Sequence, residues 1–413
     1  MRIMMTQRQL IHRGGSELFT VEVASELSRR GHDVSVFCSR VGELAKIMFS
    51  SGVVVKDRLN QLPWEPEIIH GQHHLQTVAA LSYFLHAPAI YYCHGIFPWV
   101  ERVPLHARIR KYVMACEWMV LPVKTEFGIP TDQMTFIPNF VNTVRFSHVR
   151  NQPDRVRKAL LFGSGFHKDE LLELESACTQ NGISLDKIGY GYGNPHPRPE
   201  VFLLDYDLVF AVGRSAIEAL ACGCAVIPII PGQAGQLVTT QNFDAWRYSN
   251  FSPRYYTSAQ SISPQWLAAQ LGQYSPGCTA QLCSRIRTEN NLGLAVDQLE
   301  SLYRTSVDGF DIGNASPGPE FAPYLEKLAL EADFKWERLC HLNQQAANAT
   351  SHTDSIGGLD VPHQPVPNPP KSLIASWPRP LRRAAHLLFW AVTFQLPSRL
   401  RAYFRDRKAN LPS

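Results

Sequence analysis

The sequence predicts an α/β protein of two consecutive doubly wound domains that face a cleft, with a helical tail behind them. Three observations carry that expectation. Short β-rich apolar runs alternate with segments of helical periodicity, which implies parallel sheets covered on both faces. The pattern halts in a polar, charged stretch at residues 151–157 and then restarts. Glycines stand at strand-to-helix turns in both halves, and 413 residues exceed what one ordinary core organises.

The first half opens with an apolar strand at Arg2–Met5 and a loop at His12–Ser16. A helix follows, in which Leu18, Val21, Ala24 and Leu27 recur up to Gly31. Strands are expected at Asp33–Cys38, Glu67–His70, Ala89–Cys93, Trp118–Leu121 and Thr135–Ile137, and helices at Leu75–Leu85 and Leu105–Cys116. The second half repeats the plan with strand Ala159–Phe162, turn Gly163–Gly165, helix Asp169–Gln180 and strand Ile183–Gly189. A Gly/Pro-rich loop then leads to Pro199, followed by strand Leu208–Val212, a helix carrying Ser215, and strand Ala225–Ile230. The expected domains are therefore 1–150 and 151–305. Behind them lie a helical extension at 306–351 (helix Pro323–Leu342), a Pro/Gly-rich linker at 352–378 and a basic amphipathic helix at 379–413.

Hydrophobic content of 45% with 18% charged residues describes a globular chain. Nine scattered cysteines give no disulfide framework and point to a reducing compartment; the close pair Cys222-Gly-Cys224 sits at a helix–strand junction, where small buried thiols are ordinary. The start, MRIMMTQRQL, has no secretory apolar stretch, so a cytoplasmic location is expected. The net charge of +4 is concentrated in the tail, where Arg379–Lys408 holds eight basic residues and one acid. The body is mildly acidic, which argues against a nucleic-acid partner.

Several positions could carry chemistry. Gly14-Gly15 lets backbone N–H groups approach an anion at a helix start, although a tight turn alone would also use glycine. Gly163-Ser-Gly165-Phe-His-Lys168 takes the equivalent place in the second half, with His167 and Lys168 as cations for a phosphate or as solvated first-turn residues. Neither this stretch nor Gly189-Tyr-Gly191-Tyr-Gly193 keeps dinucleotide-binding spacing. His70, His73 and His74 cluster without a carboxylate or thiol at helpful spacing, so no metal site is expected. His94 ends a buried strand at the edge where α/β clefts form, and is either a substrate contact or a satisfied core histidine. Gly213 turns a strand into a helix whose dipole suits a diphosphate, and Arg214 adds fixed charge. Ser215-Ala-Ile-Glu218 has capping-box spacing, while a carboxylate at Glu218 could equally accept both hydroxyls of a ribose.

Four stretches resemble a known family. RGGSELFTVEVASELSRRGHDVSVFCS, PEIIHGQHH followed by YYCHG, EFGIPTDQMTFIPNFVNTVRF and DLVFAVGRSAIEALACGCAVIP are together similar, over roughly residues 8–235, to a divergent member of the retaining glycosyltransferases of group 1 type. These have two Rossmann-like domains in the GT-B arrangement. The resemblance implies that Gly14 and Gly15 approach the diphosphate or acceptor, and that Glu218 holds the nucleotide ribose. It also implies that the amides of Ala219 and Leu220 face the phosphates, that His94 lies near the transferred sugar, and that Lys168 serves the diphosphate. The chain departs from the family pattern at Phe210, where a glutamate is usual, and at Phe140 and Asn142, where Gly and Asp are usual. The basic pair after the first strand of the second domain is reduced to Lys168 beside His167.

These readings combine into an expected function. The chain transfers a sugar from a nucleotide-diphosphate sugar to a polysaccharide or lipid-linked acceptor, retaining and without a metal or other cofactor. His94, Lys168 and Arg214 are the catalytic candidates, and Gly14, Gly15, Gly163, Gly165, Gly213, Glu218, Ala219 and Leu220 the nucleotide-sugar contacts. In the tail, Ala384–Leu396 is an apolar run of 13 residues flanked by arginines, too short to span a bilayer but suited to its interface. A peripheral membrane partner through residues 379–408 is therefore expected. The competing reading is a non-catalytic relative that binds a nucleotide sugar or scaffolds a complex; a sugar-nucleotide epimerase would share the architecture but has no use for such a tail.

Overall fold

The computed structural model describes residues 1–96, 98–163, 166–255, 260–311 and 338, nearly all of them in one compact unit. Gly165, the helix expected at Pro323–Leu342 (Arg338 excepted), the linker and the basic tail lie outside the described residues. The first half runs β1 (Arg2–Gln9), α1 (Gly15–Arg29), β2 (Asp33–Arg40), α2 (Leu44–Phe49), β3 (Val54–Lys56), β4 (Ile68–Gly71) and α3 (His74–Tyr83). It continues with β5 (Ala89–Cys93), β6 (Ile109–Met114), α4 (Val120–Phe127) and β7 (Met134–Phe136). Among the described residues these strands form a seven-stranded parallel sheet in the order β3-β2-β1-β4-β5-β6-β7. The doubly wound expectation holds for this half.

Two elements differ from their expected type. Residues 109–114 form an interior strand, not part of a helix. Ile109, Tyr112, Val113 and Cys116 have helical spacing, but Tyr112, Val113 and Met114 are consecutive buried residues of a strand held between β5 and β7. The apolar run Trp118–Leu121 belongs to a 3-10 turn and the start of α4 instead of a strand. Short apolar runs do not distinguish the two states; here Pro122 sits in the first helical turn, where its missing N–H is harmless, and Gly128 (φ +69°) ends the helix. The buried Arg108 guanidinium donates to the carbonyls of Phe84 (2.6 Å), Ala87 (2.9 Å) and Leu81, so a cation closes the C-terminal end of α3.

The second half runs β8 (Lys158–Phe162), α5 (Lys168–Gln180), β9 (Ser184–Ile188), α6 (Pro199–Phe202), β10 (Leu208–Phe210), α7 (Gly213–Ala221) and β11 (Ala225–Ile227). A small hairpin of β12 (Ile229–Ile230) and β13 (Gln233–Ala234) follows, then α8 (Phe243–Tyr248), α9 (Pro264–Leu271), α10 (Pro276–Glu289) and α11 (Leu292–Val307). Its parallel sheet has the order β11-β10-β8-β9. Side chains alternate across it: Leu160, Val209 and Val226 pack toward α7 and α10, while Leu161, Phe210 and Ile227 pack toward α5 and α9. Phe210 is thus fully buried on the face away from α7.

The last helix crosses back. Leu292, Ala295, Val296, Leu299 and Tyr303 of α11 join the core of the first half, although chain position placed them with the second. Arg30 clamps this helix through Asp297 (2.6 Å), Glu300 (3.0 Å) and the carbonyl of Gly293 (3.0 Å). The crossing leaves the second half beside the earlier one, where Val141 and Asn291 form a parallel bridge.

Candidate functional site

Each sheet reverses its strand order once, between β1 and β4 in the first and between β8 and β10 in the second. In doubly wound sheets the crevice outside the strand ends at such a reversal is where ligands bind. Gly14–Gly15 and Gln72–His73 follow the two strands at the first reversal, and His94 follows the neighbouring β5. Gly163 and Gly213–Arg214 follow the two strands at the second.

Gly14 is the N-cap of α1, and a Cβ there would fall 2.4 Å from Oε2 of Glu17. The Glu17 carboxylate folds back over the helix start, accepting from Gln9 Nε2 (3.2 Å) and Ser16 Oγ (3.1 Å). An internal anion therefore already faces part of this positive helix end, while the space beside Gly15 is open. Glu101, farther along the first half, is pushed up to about 7 by burial and by the charge of Glu17.

His94 is half-buried, with its ring edge-on to Phe19 at 4.8 Å and tilted against Tyr92 at 4.8 Å. Its Nε2 meets Gln72 Oε1 at 2.5 Å. Burial holds its pKa well below the usual imidazole value, with His73, His70 and Arg214 adding to the effect. His70 and His73 are buried and depressed to about 3, chiefly by desolvation. Each already uses Nδ1, His70 with the Tyr303 hydroxyl (2.6 Å) and His73 as acceptor from the Arg8 N–H (3.3 Å). The histidine run thus builds the sheet edge beside His94. His73 does so at a left-handed φ of 57°, a conformation that costs a non-glycine residue of order 1–3 kcal/mol.

Only Ala211 and Val212 separate β10 from α7, so the helix begins abruptly at Gly213, whose φ of +57° favours glycine. This overturns the capping box. Val212 is the N-cap and has no capping hydrogen bond, Ser215 lies inside the first turn, and the Glu218 side chain reaches back to Arg214 instead. It also corrects the roles of Ala219 and Leu220. Both lie late in α7 and are fully buried, so their amides belong to the helical ladder; the uncommitted N–H groups of a helix are those of its first turn. Of these the Gly213 N–H donates to the carbonyl of Asn250 (3.0 Å).

Arg214 joins the two halves. Its Nε donates to Glu218 Oε1 (2.9 Å) and its Nη2 to Glu22 Oε2 on α1. Arg145 approaches the other Glu22 oxygen (3.5 Å) and pairs with Glu200 (2.9 Å). Burial works against the charge on Arg214, but Glu22 and Glu218 outweigh it and hold the guanidinium above its usual pKa. Glu218 is shifted upward by burial, with Arg214 opposing and Glu22 adding. The guanidinium lies 5.6 Å from the Phe140 ring, which is 5.3 Å from Phe19, itself against His94. His94 and Arg214 therefore share one aromatic floor, and Glu218 is tied to it through Arg214.

The other expected residues are placed differently. Lys168 is the exposed first residue of α5, behind an N-cap at His167 whose N–H donates to Glu170 (2.8 Å). No contact among the described residues ties it to the Arg214 cluster. Gly163 presses against Gly189, where a Cβ would lie 2.0 Å from the Gly163 carbonyl oxygen. The next residue, Tyr190, accepts from the Arg13 N–H (2.9 Å) and meets His12 edge-on at 5.6 Å, so this turn reaches the glycine loop of the first half. Alongside α1 runs a groove of about 1350 Å³ lined by Arg13, Glu22, Arg145 and Glu200 among others. Glu22, Gln72, Arg145 and Tyr190 were not anticipated. Glu22 alone left a trace in the sequence, as an acid between Val21 and Val23 on an otherwise buried helical face.

The Glycosyltransferase Family 4 profile matches residues 13–145, from the glycine loop to Arg145. A glycosyltransferase from Rickettsia africae shares the fold at 12% identity and a TM-score of 0.56, over 75% of this chain and 99% of its own. The Anabaena protein HepE, solved with UDP and glucose, matches at 12% identity and a TM-score of 0.52, over 73% of this chain and 99% of its own. The shared architecture is the expected GT-B fold of two Rossmann-like halves. No curated protein matches the chain by sequence. Among the described residues no helix is long and apolar enough to cross a membrane.

Proposed function

We propose that the chain transfers a glycosyl group from a nucleotide-diphosphate sugar to a hydroxyl acceptor in the crevice between the two sheets. The observation that carries this reading is the convergence beside the strand-order reversals: His94 from one sheet and Arg214, which holds Glu218, from the other meet over Phe19 and Phe140. The profile match to residues 13–145 and the GT-B fold support it.

Breaking the bond between the sugar and the diphosphate builds negative charge on the leaving group and positive character on the sugar. The first-turn amides of α7 and the always-charged Arg214 supply fixed positive potential for the leaving diphosphate, so that no metal is needed in this scheme. Glu218 accepts the ribose hydroxyls through the carboxylate oxygen that Arg214 does not hold, Gly15 and Gly163 leave room for the donor, and Gly14 brings the loop backbone close to it. Lys168 adds charge from the rim when the crevice closes around its ligand. The family resemblance favours retention, and since no nucleophile for the sugar is evident among the described residues, the leaving phosphate serves as the base in this scheme. A lipid-linked or polysaccharide acceptor, reached by a cytoplasmic protein held at a membrane through residues 379–408, completes the proposal.

One observation favours a second reading, a nucleotide-sugar binder without catalysis. Arg214 is already engaged with both Glu218 and Glu22, and the glutamate usual at Phe210 is replaced by a core residue. Thermal shift with UDP, GDP and ADP, followed by donor hydrolysis, separates the two. Catalysis predicts stabilisation by one nucleotide and release of sugar; binding alone predicts stabilisation without release. If no nucleotide stabilises the protein while Glu218→Ala folds normally, both readings fail.

A further inference from the structure

Gln72 stands at the strand-order reversal of the first sheet, fully buried, and its hydrogen bonds settle which of its ends faces His94. The chain of constraints starts at the Thr20 hydroxyl, which has two acceptors in reach, the Ser16 carbonyl in the first turn of α1 at 2.9 Å and Gln72 Oε1 at 3.4 Å; the much nearer Ser16 carbonyl takes its only proton. With that proton used, Thr20 Oγ1 can only accept, and it does so twice, from Gln7 Nε2 (3.2 Å) and Gln72 Nε2 (3.0 Å). The Gln7 amide is oriented independently, because its Oε1 accepts the Arg8 N–H (2.7 Å). Gln72 therefore turns its nitrogen to Thr20, the closer of its two amide atoms at 3.0 Å against 3.4 Å for the oxygen, and its oxygen to His94, 2.5 Å from Nε2. A carbonyl oxygen cannot donate, so Nε2 carries the proton. The Gln72 backbone N–H is held by Thr6 Oγ1 (2.8 Å), and the following residue is the left-handed His73. His94 Nδ1 takes part in no hydrogen bond among the described residues, and the ring cannot swing freely between Phe19 and Tyr92.

We infer that Gln72 is a positioning residue: it fixes His94 as the Nε2–H tautomer and presents the Nδ1 lone pair as a hydrogen-bond acceptor for a sugar hydroxyl. The identity of that hydroxyl rests on the function proposed above; the tautomer does not. Burial keeps the imidazole neutral, so the lone pair is available at physiological pH. Because the relay begins at Ser16, beside Gly15, a ligand that shifts the glycine loop also bears on His94.

The test uses the full chain with nitrogen-15 in its histidines. Nitrogen shifts of His94 should identify Nε2 as protonated and Nδ1 as bare, with or without nucleotide. Gln72→Met, close in volume but without the amide, should give mixed tautomers and lower kcat by about tenfold at unchanged nucleotide affinity, the size of one lost hydrogen-bond constraint. Gln72→Glu should keep the proton on Nε2 and raise the His94 pKa by about one unit or more, against the opposing influence of His70, His73 and Arg214. A wild-type Nδ1–H tautomer, or a His94 tautomer unmoved in folded Gln72→Met, overturns the inference. If the wild-type shifts agree but no sugar is transferred, the tautomer stands and the functional reading falls.

Discussion

Arg214 illustrates how much one side chain holds in place here. It is the shared partner of two buried carboxylates, Glu22 and Glu218, from opposite halves. Arg214→Met should therefore cost about 3–5 kcal/mol in urea denaturation, the usual penalty for leaving buried charges uncompensated, whereas replacing Arg214 and both carboxylates together by apolar residues should cost much less. The buried histidines give a pH signature. In the unfolded chain His70 and His73 take up protons near 6.5, but in the fold not until about 3. The stability they contribute is present above 6.5 and is lost as pH falls through that window, by about 1.4 kcal/mol per unit for each group. Denaturation midpoints between pH 7 and pH 5 should fall accordingly, and less steeply in His73→Asn, a residue that also tolerates the left-handed backbone. At this scale the sequence was readable only in part. His94, Gly213, Arg214 and Glu218 were visible as residue types at strand ends, but the Glu22–Arg214 pair joins residues 192 positions apart and no local pattern encodes it.

Elements were legible where hydrophobic periodicity was unambiguous. β5, the strand–turn–helix unit around α1, and β8, α5 and β9 follow their patterns closely, because one period fits and the other does not. β6 was not, since an interior parallel strand hides in a spacing that a helix also satisfies. The start of α7 departs from its capping-box spacing for a different reason: the two-residue connection from β10 places the helix start about a turn earlier, so Ser215 ends up inside. That uncapped start makes its own prediction. Val212→Asp should raise stability by about 1 kcal/mol by supplying the missing cap, and should weaken UDP binding by placing a competing carboxylate at the same amides. Calorimetry on the two proteins reads both quantities. For α11, Tyr303→Phe removes the hydroxyl on His70 Nδ1 and should cost about 1–3 kcal/mol in chemical denaturation, because His70 Nε2 is already without a partner among the described residues.

Among the described residues the halves are pinned by polar contacts that include Glu22 with Arg214, Asn139 with Asn250 (3.0 Å), and Arg13 with Tyr190. Polar interfaces of this kind open more readily than apolar ones. Glu22→Gln should speed hydrogen exchange at residues 213–216 and 142–145 while leaving β1 and β4 unchanged. The return of α11 has a consequence for cutting the chain. A fragment ending near residue 150 keeps the seven-stranded sheet but bares the seat of Leu292, Val296, Leu299 and Tyr303, and should aggregate. A synthetic peptide spanning residues 290–308 carries those anchors together with the partners of Arg30, and should rescue the fragment in trans. The molecule thus contains a natural split point, with a helix able to serve as a detachable complementation tag.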